Sequence, residues 1–273
     1  MINQTPKWPV FVLGSVAVIW IVPLVGIIAM SIRPEGEIVN GWWTIEPFTF
    51  TLEAWREVWV NYPIGRAFLN SLAVASFATI LPVLFAPAAA YAFHYLKFPF
   101  RRILLLILVN AFVVPNQVVI IPLFKLWREM GLIDTYWSVV IPFVGLSFAW
   151  SVLLVKNFLS NFPRSLIDAA QVDGCGHLRT YFFIVLPNTL TAMAAVGILQ
   201  FMWTWNSLLL PMLFLRENAT LPVMLSTISG TYEPNWDQRA VATIITSILP
   251  LVIFLFFQKY FSADGKNNSG SKG

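Results

Sequence analysis

A chain of 273 residues with 58% apolar residues, only 11% charged residues and a formal net charge of +4 lies far from the soluble globular norm of about 25% charged. With a mean hydropathy of +0.73, this composition excludes a soluble enzyme and a disordered chain, and predicts an integral membrane protein. The single cysteine, Cys175, excludes an intrachain disulfide.

Six apolar runs, near residues 10–31, 68–93, 103–124, 136–155, 184–214 and 240–261, each reach the roughly 20 residues needed to cross about 30 Å of hydrocarbon. The expected fold is all-α, a polytopic membrane protein of six transmembrane helices, because barrel strands would be shorter and strictly alternating. The first run follows Lys7 but is longer than a signal-peptide core, so it is read as a retained span. Residues 1–67 form this helix and an external loop, residues 68–262 a five-helix core, and residues 263–273 a small polar tail expected to be mobile. The loop over 32–66 carries Trp42, Trp43, Phe48, Phe50, Trp55, Trp59 and Tyr62, which suits an interfacial aromatic belt. Pro23, Pro82, Pro87, Pro115, Pro187, Pro211 and Pro250 punctuate the runs, and each interior proline removes a backbone hydrogen bond and invites a kink.

Basic residues set the orientation. With the N-terminus inside, Lys7, Lys97, Arg101, Arg102, Lys156, Arg164, Arg179, Lys259, Lys266 and Lys272 are cytoplasmic, against Arg33, Arg56, Arg66, Lys125, Arg128, Arg216 and Arg239 outside. Both termini are then cytoplasmic, as is the loop over 163–182. The basic charge follows membrane topology, so no nucleic-acid partner is invoked.

That loop carries Pro163, Ser165, Asp168, Ala169, Ala170, Asp173, Gly174 and Gly176. Ser165 and Asp168 have the spacing of a capping box, and Asp168 suits the positive end of a helix dipole. Gly174 or Gly176 offers the positive φ that ends a helix, so the spacing predicts a helix of about two turns. Ala169 and Ala170 leave one flank bare, open to close approach by a partner's groove. Taken singly, these residues also suit an ordinary capped surface helix; their placement together between membrane spans points to docking.

Asp168-Ala169-Ala170, three residues, Gly174 and then Pro187 resembles the cytoplasmic coupling loop, or EAA loop, of the membrane subunits of ATP-binding-cassette importers. Asp168 stands where that family usually has Glu, and Cys175 where it usually has Ala or Ser. The resemblance implies the type I importer permease fold, with a coupling helix within residues 164–180. On it, Ser165, Asp168, Ala169, Ala170, Asp173 and Gly174 would dock on an ATPase. It further implies a bacterial or archaeal inner membrane, a heterodimer with a second permease, two copies of a cytoplasmic ATPase that binds the ATP, and an external solute-binding protein. No cofactor is expected in this chain, and membrane lipid is counted among its partners.

The energy source agrees with this reading. No G-x-x-x-x-G-K-[ST] run is present, and by these boundaries none of the 13 acidic residues lies in a span core where ion coupling would use it. No paired carboxylates, metal-spaced His/Cys set or nucleophile triad marks an enzyme. Several segments resemble the carbohydrate-uptake branch more narrowly, especially the smaller permease of maltose-type importers: Pro115 through Pro122, Gly131 through Trp137, and Trp205-Asn206. For a sugar path the candidates are Asn110, Asn116, Gln117, Gln200, Trp203 and Asn206, since sugars need hydrogen-bonding groups beside flat apolar faces. Buried amides also join neighbouring helices, and Trp203 and Trp205 cannot share a helix face. An importer for an amino acid, a polyamine or another small solute is the alternative within the superfamily. A membrane enzyme or scaffold is the alternative outside it.

Overall fold

In the computed structural model the described backbone covers residues 8–113, 115–228 and 235–267, with the side chains of residues 112, 113, 116 and 257–267 outside the description. Every regular element among the described residues is helical. In chain order these are α1 (Trp8–Ser31), α2 (Glu35–Ile38), α3 (Glu53–Asn61), α4 (Ile64–Tyr95), α5 (Arg101–Val113), α6 (Asn116–Glu129), α7 (Trp137–Ser160), α8 (Arg164–Val172) and α9 (His177–Thr180). A π-helical turn (Tyr181–Val185) leads into α10 (Leu186–Asn188), α11 (Leu190–Trp205), α12 (Leu209–Phe214), α13 (Leu221–Thr227) and α14 (Trp236–Asn267).

Among the described residues α1, α4, α7 and α14 are long and apolar enough to cross a membrane, and α11 with the segment before it makes a fifth candidate, bent by 67°. The run expected over 103–124 differs from the expectation. It is two helices, α5 and α6, with Pro115 as the extended N-cap of α6 (φ −63, ψ 129). Proline lacks the N–H that would continue a helix, and with Pro115 itself extended the expected kink is a full break. The run expected over 184–214 is likewise divided. Pro187 follows the π turn, Thr189 (φ −93, ψ 4) separates α10 from α11, and residues 206–208 separate α11 from α12. Conversely, α14 extends to Asn267, into the first part of the 263–273 tail expected to be mobile. Residues 229–234, between α13 and α14, lie outside the described residues.

The chain divides into two compact units, Met1–Gly65 with Met224–Leu249, and Arg66–Val223 with Pro250–Gly273. In the first, the segment after α1 folds around Arg33, which is 1% exposed. Its guanidinium donates to Glu37 Oε2 (3.2 Å), Trp42 O (3.3 Å), Thr44 O (2.8 Å) and Pro47 O (2.7 Å), and sits over the Phe48 ring. Five donors in a fixed fork let one arginine gather carbonyls from three turns of loop. Hydrogen bonds from Thr49, followed by the contact with Arg33, hold the Glu37 carboxyl below its ordinary value of 4.5. A lowered folded-state value makes this contribution present above pH 4.5 and lost as the pH falls through the lowered value. Trp42 packs on α1 so closely that a Cβ on Gly26 would lie 2.8 Å from the indole, so this aromatic is a packing residue rather than part of a lipid-facing belt. Arg33→Met should lower the melting temperature, because it removes every hydrogen bond that the buried guanidinium makes to Glu37, Trp42, Thr44 and Pro47. A melting temperature unchanged from the parent would show that the loop stands without its arginine.

In the second unit one core cluster joins Ala86, Ala90 and Tyr91 of α4 to Val152, Val155 and Leu159 of α7. Another joins Val74 and Ala78 of α4, Trp127 of α6, Phe143 of α7 and Phe214 of α12. Near this second cluster, at the start of α7, Asp134 clips two loops together. Its backbone N–H donates to Phe214 O (2.9 Å), and its carboxylate accepts the N–H groups of Arg216 (2.9 Å), Glu217 (3.1 Å) and Asn218 (3.3 Å). Asn70 of α4 extends this network, accepting from the Tyr136 hydroxyl at 2.7 Å and donating to Ala219 O at 3.0 Å. Elsewhere apolar side chains cover the outside: Trp20 of α1 is 77% exposed, and Leu106 and Ile107 of α5 are also exposed. Such a surface is stable in hydrocarbon and not in water.

Candidate functional site

The loop expected to dock is built on α8, nine residues long. Its start differs from the capping-box expectation. Pro163 is the N-cap (φ −61, ψ 113), no side chain caps the helix, and no acidic residue lies in its first turn. Proline pre-sets the backbone and starts the helix before Ser165, so Ser165 already has helical geometry and its hydroxyl is not placed to accept an N-terminal N–H. Asp168 is consequently the fifth helical residue, past the first turn where the dipole acts. The stop agrees with expectation. Gly174 has φ +76, Cys175 N–H donates to Ala170 O at 2.9 Å and Gly174 N–H to Gln171 O at 3.1 Å. This is a Schellman motif, which satisfies carbonyls that the helix end would otherwise strand.

The helix has two unlike faces. Ile167 (4% exposed) and Ala170 (3%) turn inward, and Ile167 joins the core cluster formed by α4, α7, Tyr181 and Val185. Ala170 therefore belongs to the anchor, while Ala169 alone is on the exposed flank. Asp168, Asp173 and Gly174 are exposed as well. Beside Ala169 the outward side carries Leu166 (44% exposed) and Val172 (87%), and Leu178 of α9 and Phe183 of the π turn are also uncovered. Sequence reasoning passed over Ile167 and this outward apolar set, although Ile167 with Ala170 and Leu166 with Ala169 and Val172 repeat at the three-residue spacing of helix faces. The basic residues Lys97, Arg101 and Arg102 belong to the same end of the unit: Arg101 Nη1 donates to Leu96 O at 3.2 Å, and Leu96 packs on the cluster that holds Ile167.

The six solute-path candidates do not form one site. Asn110 is exposed and donates back to Leu106 O (2.7 Å), as Asn206 does to Met202 O (2.8 Å). Gln117 is exposed, and the Asn116 side chain lies outside the described residues. Gln200 is fully buried, its Nε2 donating to Ala78 O of α4 (3.3 Å) and to Thr204 Oγ1 (3.2 Å), which is the helix-joining role open to a membrane amide. Trp203 is 38% exposed with its ring edge-to-face with Phe143. Trp205 is buried on the other side, against Phe201 and Phe68. Of the two tryptophans only Trp203 has substantial open surface, and it shares a face with Asn206, three residues on.

Residues 78–264 match the family described as the binding-protein-dependent transport system inner membrane component. A probable ABC transporter permease protein of Pyrococcus horikoshii is 34% identical over 257 residues, covering 93% of both chains. The arabinooligosaccharides transport system permease protein AraQ of Halalkalibacterium halodurans is 31% identical, covering 94% of this chain and 93% of that one. Among solved structures, a chain of a bacterial ABC transporter involved in the import of the acidic polysaccharide alginate superposes with a TM-score of 0.75 at 23% identity, over 93% of this chain and 95% of that one. That likeness speaks to the fold alone. A membrane-spanning helical chain with these matches across most of its length belongs to the inner membrane component family of binding-protein-dependent transport systems, the permease subunits of ABC transporters.

Proposed function

We propose that this permease imports a sugar or oligosaccharide as half of a heterodimer, driven by a separate ATPase that grips residues 164–180. The observation that carries the reading is the two-faced α8: an apolar outward side at Leu166, Ala169 and Val172, and an inward side rooted by Ile167 in α4 and α7. A partner closing on the outward side moves the inward anchor with it, because the Schellman stop keeps the helix short and rigid. In this reading α5 with α6, and the π turn through α12, are broken spans that bring the total to six. Both termini are cytoplasmic, and an external binding protein delivers the solute. Backbone breaks at membrane depth suit a polar path, since irregular backbone is tolerated only where protein or water satisfies it. Trp203 and Asn206 are the residues of this chain best placed along that path.

The sugar assignment draws on relatives named for arabinooligosaccharides and alpha-glucosides. A competing solute is raised by the osmoprotective compounds uptake permease protein GgtD of Synechocystis, 33% identical over 256 residues. Co-expression with a candidate ATPase and uptake of labelled arabinooligosaccharide, alpha-glucoside and a charged amino acid separate the readings. Capture of the ATPase with saccharide uptake is expected. Uptake of the amino acid alone would overturn the sugar assignment, and failure to hold any ATPase would overturn the transport mechanism.

A further inference from the structure

Two arginines distant in sequence line one pocket beside the Asp134 clip. Arg128, near the end of α6, and Arg216, just after α12, line a cavity of about 510 Å³ together with Phe124, Gly131 and Ile133. That volume falls within the roughly 300–1,000 Å³ typical of small-ligand sites. Both arginines are exposed. Neither arginine is in a side-chain ion pair among the described residues. The neighbouring acids leave them free: Asp134 is engaged by the N–H groups of Arg216, Glu217 and Asn218, and the exposed Glu129 and Glu217 make no ion pair among the described residues. Lys125, also exposed, adds positive charge one turn before Arg128.

The backbones that carry the arginines are held against each other. Leu132 N–H donates to Trp127 O (2.9 Å) and Gly131 N–H to Arg128 O (3.3 Å), closing the turn after α6. Asp134, two residues past Leu132, then grips Arg216 N–H at 2.9 Å, and Asn218 Nδ2 donates back to Asp134 O at 2.9 Å. Gly131 makes this turn at φ +67, a left-handed conformation that glycine adopts without strain. The points of attachment of the two arginines are thus fixed relative to each other, although they lie far apart in the chain.

We propose that this pocket binds a carboxylate-bearing sugar residue. The guanidinium groups hold the carboxylate, which their planar forks match in two-point hydrogen bonding, and Phe124 and Ile133 meet the apolar face of the ring. The choice of a sugar ring rests on the transport reading above; the preference for an anion rests on the two arginines.

The test is calorimetric titration of the purified full-length chain, in phosphatidylcholine nanodiscs, with D-glucuronate, D-glucose, acetate and inorganic phosphate. Glucuronate should bind at least about tenfold more tightly than the other three, and more weakly as salt is added. Arg128→Gln and Arg216→Gln should each raise its Kd by about tenfold with no change in melting temperature. Glucose binding as well as glucuronate, or no glucuronate binding, would overturn the proposal. Equal binding of acetate or phosphate would reassign the pocket to simple oxyanions or lipid headgroups and overturn the sugar commitment. An importer that holds its ATPase and moves neutral oligosaccharides while its permease ignores glucuronate loses this pocket but keeps the transport reading. A permease that binds glucuronate but captures no ATPase keeps the pocket and loses the transport reading.

Discussion

Gly174→Val is expected to leave the permease folded in the membrane and to abolish coupled transport. The position has φ +76, and a branched side chain in the left-handed region is opposed by roughly 1–2 kcal/mol. It is also the pivot of the Schellman stop, so relaxing the strain breaks the bonds from Cys175 N–H to Ala170 O and from Gly174 N–H to Gln171 O. The nine-residue α8 has no side-chain cap at its start, which leaves this stop as the main device that fixes its length. Its anchor through Ile167 is separate, and a Cβ at Gly174 would meet no atom within 4 Å, so the core should survive. Solute uptake in reconstituted importer should fall at least tenfold, roughly the effect of 1.4 kcal/mol on an equilibrium. Gly174→Asn, which tolerates the left-handed region, should retain most of the uptake. Parental uptake with valine at this position would refute the lever mechanism.

Asp134→Ala should produce the largest loss of stability in the second unit. One carboxylate accepts three consecutive backbone N–H groups, and hydrogen bonds to a charged group are worth about 1.5–3 kcal/mol each when their loss leaves no substitute. Water can reach part of this loop, so the net cost is closer to roughly 3 kcal/mol, a fall of about 6–12 °C in melting temperature for a chain of this size. The residue also has φ +63, which aspartate and asparagine tolerate better than alanine. Asp134→Asn should therefore recover part of the loss, keeping the backbone geometry and one acceptor oxygen. If both variants melt with the parent protein, the 134–218 clip is an ornament of the loop and the fixed spacing of Arg128 and Arg216 loses its basis.

The helical class and the approximate positions of most spans were legible because they depend on the summed hydropathy of about 20 residues, which neighbours hardly alter. Gly174 was legible for a different reason: a positive φ is a local steric demand that glycine announces by itself. The start of α8 was misread because Ser165 and Asp168 satisfy a spacing rule that Pro163 overrides by starting the helix earlier. Ala169 and Ala170 look equivalent in sequence, and only the fold turns Ala170 inward beside Ile167 and leaves Ala169 on the surface. Gln200, chosen as a solute ligand for its chemistry, is committed to Ala78 O on α4, a contact 122 residues away that no local pattern encodes.

Sequence alone therefore determined the solvent this protein lives in, the number of apolar runs and the place where α8 ends, because each is decided by composition or by one residue's sterics. Tertiary structure decided which side of α8 is buried, where two of the runs break, and that Arg128 and Arg216 share a pocket. Those outcomes depend on side chains brought together over tens of residues by helix packing and by a single aspartate, and pairwise proximity of that kind leaves no periodic trace in the chain.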